Sequence, residues 1–154
     1  MDRFQELLWD LGEIVNVPFH VDKNHACHIL LDDKLAVHME ITEEGEQLLI
    51  GALLGEIPPG RFREHVLKES LKVNALPNPF GSFAYIDKTN TLVLQTFLAL
   101  DTLNGQKLAQ FLEDFIREAE SWREAIGQGH FAPHTYLSAH NKHPPLYSIP
   151  PKTT

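Results

Sequence analysis

At 154 residues with a formal net charge of −8, the chain has room for one domain with a sizeable core. Its acidity argues against nucleic acid, whose binding proteins need basic patches to neutralise phosphate. A single cysteine, Cys27, excludes an intramolecular disulfide, and no apolar run approaches the roughly 18 residues of a membrane span. The charge is unevenly placed: residues 1–126 hold 11 Lys and Arg against 21 Asp and Glu, while residues 127–154 hold two lysines and no acid. An acidic domain over 1–126 and a distinct tail over 127–154 are therefore expected. The start, MDRFQELLWDLGE, is acidic and amphipathic, without the basic opening and apolar run of a secretion signal, so a cytoplasmic protein is expected.

Residues 2–16 place Phe4, Leu7, Leu8, Leu11, Ile14 and Val15 at the spacing of one helical face. Asp2 is placed as N-cap and Pro18 as the stop. Trp9 lies about 140° around the helix from Phe4, off that stripe; it either packs on a neighbouring loop or stands out as an anchor for a partner. Residues 26–31 and 35–42 read as two strands joined at Asp32-Asp33-Lys34. In the second, Leu35, Val37, Met39 and Ile41 alternate with Ala36, His38, Glu40 and Thr42, the pattern of a half-buried antiparallel strand.

A third strand, about 47–54, is apolar on both faces, Leu48, Ile50 and Leu54 against Leu49 and Leu53, so protein is expected to cover both. Pro58 and Pro59 prepare a short helix over 60–74. Its apolar residues fall on two adjacent sides, Phe62, Val66 and Val73 on one and Leu67 and Leu71 on the other; so short a helix depends on packing. Residues 80–86 and 91–100 form a hairpin around Asp87-Lys88-Thr89-Asn90, with Phe83 and Tyr85 on one face of its first strand. The closing helix, about 104–126, carries the stripe Leu108, Phe111, Leu112, Phe115, Ala119, Trp122 and Ile126, with Asn104 as cap, Leu103 and Leu108 as a staple, and Gly127 as the end. Beyond it the chain holds five of the ten prolines and four of the nine histidines without periodicity, the composition of a peripheral tail. The order α-β-β-β-α-β-β-α with antiparallel strands predicts the α+β class.

Chemistry is sparse. HACH brings His25, Cys27 and His28 together, and imidazole and thiolate bind zinc, but a strand turns Cys27 and His28 to opposite faces and no fourth ligand follows. No metal and no other cofactor is expected. No serine sits in a nucleophile signature. A triad scattered along the chain is still open to the fold, but no catalytic residue is expected, so surfaces become the candidates for function.

The opening LLWDLGEIVNVPFHVD, the strand-turn-helix LLIGALLGEIPPGRFREHVLKESLKVN, the hairpin FGSFAYIDKTNTLVLQTFLALD and the helix LAQFLEDFIREAESWREAI together resemble the class I type III secretion chaperones, the group of the Tir and Syc chaperones. Gly55, Pro58, Leu67, Leu71, Asn74, Gly81, Leu92, Leu94, Leu100, Asp101 and Trp122 stand where that pattern expects them, over residues 4–126. Ser70 departs from it, replacing an apolar residue. The resemblance implies a bacterial cytoplasmic homodimer that binds the N-terminal region of a secreted effector in extended form and keeps it export-competent without ATP, with the secretion ATPase as a further partner. It implies dimer contacts at Phe62, Val66, Leu67, Leu71, Phe83 and Tyr85. It also implies effector contacts on the first helix and the sheet's outer face, for which Trp9, Leu31, Leu49 and Leu53 are the candidates. A regulatory or structural domain of the same fold that engages a folded partner is the alternative.

Overall fold

In the computed structural model, which describes residues 2–133, Asp2 opens the first helix, α1 (Arg3–Val15), with a complete capping box. Its carboxylate accepts from the Gln5 N–H at 2.8 Å, and the Gln5 side chain accepts from the Asp2 N–H. The stop lies earlier than Pro18. Asn16 takes the left-handed conformation, and the Val17 N–H donates back to the Gly12 carbonyl at 3.2 Å. Only glycine fits at position 12, because a Cβ there would lie 2.8 Å from the Val17 oxygen. That tight return lays Val17 and Phe19 against the end of α1.

The remaining elements follow the predicted order: β1 (Ala26–Leu31), β2 (Leu35–Ile41), β3 (Gln47–Glu56), α2 (Arg61–Asn74), β4 (Ser82–Ile86), β5 (Thr91–Ala99) and α3 (Gly105–Gly127). The five strands form one antiparallel sheet in the order β1-β2-β3-β5-β4, so β1 and β4 are its edges. The fold is α+β, as expected. Register places Met39, Ile50 and Thr96 in one row across the centre, with Val37, Ala52 and Leu94 beside it. These residues face inward, and α1 and α3 pack over them with Phe4, Leu7, Leu11, Leu108, Phe115 and Trp122 to close the core.

The α3 cap behaves as predicted: the Asn104 side chain accepts from the Lys107 N–H at 2.8 Å, and Leu103 and Leu108 are both buried. Its end differs. The helix runs through Gly127 and is closed by Gly129, whose φ of 84° allows the His130 N–H to reach the Ala125 carbonyl and the Gly129 N–H to reach that of Ile126. The chain then packs back on the domain. Ala132 is buried, and Phe131 lies on Phe62 and His65 with ring centroids 5.9 and 4.7 Å apart. The first residues of the expected tail thus lie against the domain, and residues 134–154 lie outside the described residues.

Covering both faces of β3 was the other expectation that fails. Leu48, Ile50, Ala52 and Leu54 are buried, but Leu53 is 40% exposed and Leu49 half-buried, on a face that no helix of the described residues covers. Register extends Leu53 into an apolar row, Leu30–Ala36–Leu53–Val93–Ala84, across the whole outer face.

Candidate binding surface

The expected site residues fall into three places. Trp9 is 61% exposed, outside the core and beside the loop that follows α1. It borders a groove of 470 Å3 formed with Leu8, Gly12, Val17, Pro18 and Phe19. Leu49 and Leu53 lie on the outer sheet face, Leu49 opposite the exposed Phe97. Leu31 does not join them. It pairs with the buried Leu35 on the inner face, because β1 alternates Cys27, Ile29, Leu31 inward and His28, Leu30 outward. Its side chain lines a second groove instead.

That second groove, 530 Å3 in volume, runs between the end of α1, the inner face of β1 and the flank of α3, with Ile14, Val17, Phe19, Ile29, Leu31 and Ile116 among its walls. The two grooves share Val17 and Phe19. Sequence reasoning assigned Ile14 and Val15 to the core stripe; they are 52% and 41% exposed because α3 leaves the end of α1 uncovered. The apolar residues just past the helix, Val17 and Phe19, were the available signal.

The backbone beside this groove is also open. The Asp22 N–H donates to the Ala26 carbonyl at 2.8 Å, and the Asp22 carboxylate accepts from the Ala26 N–H at 3.0 Å, so both Ala26 groups face away from β2. By alternation, the N–H and C=O of His28 and Leu30 face the same free edge. The Asp22 carboxyl is held below its ordinary value, chiefly by the Ala26 N–H, against desolvation that raises it and with help from the Asn24 N–H and the His28 and His38 rings.

The expected dimer residues divide. Val66 is fully buried, and Phe83 packs on Trp122 with centroids 4.6 Å apart, so both belong to the protomer's own core and cannot present a surface. Phe62, Leu67 and Tyr85 are half-buried, and Leu71 is 68% exposed. Ser70 resolves its own departure: it is buried, and its hydroxyl donates to the Val66 carbonyl at 2.8 Å, so a polar group sits in the core satisfied. At the edge of β4, Asn74 occupies the backbone groups of Phe83: its carboxamide donates to the Phe83 carbonyl at 3.0 Å and accepts from the Phe83 N–H at 2.7 Å.

Cys27 faces the core, and burial pushes its thiol up, so it is a packing residue. Among the described residues, no three His, Cys, Asp or Glu side chains are placed to share a metal ion, and no helix is long and apolar enough to cross a membrane.

An open sheet edge flanked by apolar grooves is the kind of surface to which an extended polypeptide can add. The chain belongs to the Tir chaperone protein (CesT) family, which matches residues 6–123. Its fold is similar to that of a chain in the HopA1–SchA chaperone–effector complex, with TM-score 0.64 and 21% identity over 80% of this chain and 94% of the other. It is also similar to a chain in the complex of the Yersinia pestis secretion chaperone SycH with a fragment of YscM2, with TM-score 0.56 and 18% identity over 75% and 96%. A chain in the Pseudomonas aeruginosa ExoT–SpcS complex aligns with TM-score 0.57 and 14% identity over 77% and 95%. No curated protein matches the sequence.

Proposed function

We propose that this chain is a cytoplasmic type III secretion chaperone that holds the N-terminal region of a secreted effector in extended form, soluble and export-competent, without ATP. The observation that carries this reading is the 530 Å3 apolar groove opening beside the unpaired edge of β1. A client strand adding to His28 and Leu30 gains backbone hydrogen bonds, and its alternate side chains enter the groove. Ordering a disordered segment costs entropy, so a broad surface must offset it. Trp9 and the outer-face residues Leu49 and Leu53 extend that surface, and the acidic body keeps the free chaperone soluble. Family membership and the likeness to chaperone–effector complexes support the reading.

A homodimer formed through α2 and β4 belongs to the same proposal, with Leu71 at its centre and Phe62, Leu67 and Tyr85 around it. An exposed leucine flanked by half-buried apolar residues gains burial from a second copy. Docking of the loaded dimer on the secretion ATPase follows from the same reading.

The test is binding of an effector's N-terminal segment that is disordered alone, by calorimetry on the purified chain. Micromolar or tighter binding is expected; binding only to a folded partner, and never to the segment, overturns the chaperone reading in favour of a regulatory domain. Light scattering is expected to show a dimer, and Leu71→Glu to convert it to monomer; a dimer unchanged by that substitution removes the interface.

A further inference from the structure

We propose that His28 and His38 form a two-imidazole site for a divalent late transition-metal ion on the outer face of the sheet. The two residues are direct partners across the β1–β2 hairpin. Because the Ala26 backbone groups face away from β2, His28 and His38 occupy a pair without mutual backbone hydrogen bonds, where side chains approach most closely. Their ring centroids are 4.6 Å apart, and the two Nδ1 atoms face each other at 3.3 Å.

The other nitrogen of each ring faces a carboxylate. His28 Nε2 lies 3.3 Å from Asp22 Oδ2, and His38 Nε2 lies 3.3 Å from Glu40 Oε2. A carboxylate accepts, so each Nε2 carries the proton, and a neutral ring then has its lone pair on Nδ1. In that tautomer the two Nδ1 lone pairs are neighbours, 3.3 Å apart, and one cation can take both. Asp22 is itself fixed: its Oδ1 accepts from the Asn24 and Ala26 N–H groups at 2.8 and 3.0 Å, leaving Oδ2 to His28.

The spacing suits a metal. With ligand bonds of about 2.05 Å, as zinc makes to imidazole, nitrogens 3.3 Å apart subtend about 107° at the ion, close to tetrahedral. Carboxylates holding the distal nitrogens are the usual outer support of metal-bound histidine. No third ligand among the described residues joins the pair, so two positions of a tetrahedral ion are left for water or a partner's side chain. The second ligand beside His28 comes from the neighbouring strand and not from within HACH. A bound ion ties the edge strand β1 to β2, and the site does not depend on the chaperone reading.

The test titrates the full chain with Zn2+ alone, followed by calorimetry, thermal unfolding and the imidazole 15N resonances. Zinc at a hundredfold excess over Kd is expected to raise Tm by about 8 °C and to shift the Nδ1 resonances of both His28 and His38. His28→Gln and His38→Gln are each expected to remove this site, and Asp22→Asn with Glu40→Gln to weaken it by about tenfold or more. The His28 ring is exposed and the His38 ring half-buried, both outside the core, so the variants are expected to fold; should one fail, the other decides. Binding that survives the glutamine variants belongs to other histidines and overturns the proposal. So does a pair that shares a proton and takes no zinc.

Discussion

At the β4 edge, the Asn74 carboxamide occupies both backbone groups of Phe83 and α2 lies alongside; at the β1 edge, His28 and Leu30 turn the same groups outward beside a groove lined by Ile14, Val17 and Phe19. An unpaired strand edge is a template for another chain, and proteins cover it or use it. In this sheet Asn74 covers the middle of one edge, and the other is left free by the described residues. The closed edge is held by a single side chain from the end of a helix, and the open one is framed by the apolar return after α1. Edge chemistry alone is therefore uninformative; what packs beside the edge separates self-protection from binding.

The largest effect is expected from charging the frame of the open edge. Val17 is exposed in the free protein and shared by both grooves, so Val17→Asp is expected to leave thermal stability nearly unchanged. It is expected to weaken effector-segment binding about 100-fold, the loss of a central apolar contact. Unchanged affinity by calorimetry removes the grooves from the client path. Opening the closed edge comes next. Asn74→Ala deletes two hydrogen bonds to Phe83 and is expected to cost about 1–2 kcal/mol in urea unfolding, with no loss of segment affinity; reduced affinity with stability intact reverses the roles of the two edges.

Leu30→Pro sharpens the assignment of backbone direction. If the Leu30 N–H faces the free edge, proline there removes no ladder bond and is expected to cost only about 1 kcal/mol. It is nevertheless expected to weaken segment binding by about tenfold. Global unfolding of this variant means that the N–H serves β2 instead.

Asp22 gives the smallest effect. Its folded-state pKa lies below the unfolded one, so its contribution is present above about pH 3.9, the ordinary carboxylate value, and is lost as pH falls through the depressed folded value. Urea midpoints of the parent chain are therefore expected to exceed those of Asp22→Asn at neutral pH and to converge with them in acid. Parallel curves down to low pH remove the ionised Asp22 from the support of β1.

Much of the fold was readable along the chain. The α3 stripe ending in Trp122 and Ile126, the alternation of β2 and the caps at Asp2 and Asn104 are local patterns, dictated by the helical and strand repeats and by orphaned helix-end amides. Of the candidate residues, Trp9 was legible as lying off the apolar stripe of α1, whereas Leu53 sat on a strand face expected to be covered, because an apolar face does not say what lies over it. Leu31 was misplaced by one position of β1, which moves a side chain to the other face of a sheet. Val66 and Phe83 were assigned to a surface because composition does not say how deep a helix or strand sinks.

The order of elements, their class and the family resemblance were thus determined by the sequence itself, since each rests on neighbours within a few turns of chain. Only the tertiary structure decided which edge is open, which face of β3 is bare, and that His28 meets His38. Those depend on strand order and register, which are set by contacts between residues distant in sequence, and no local pattern records them.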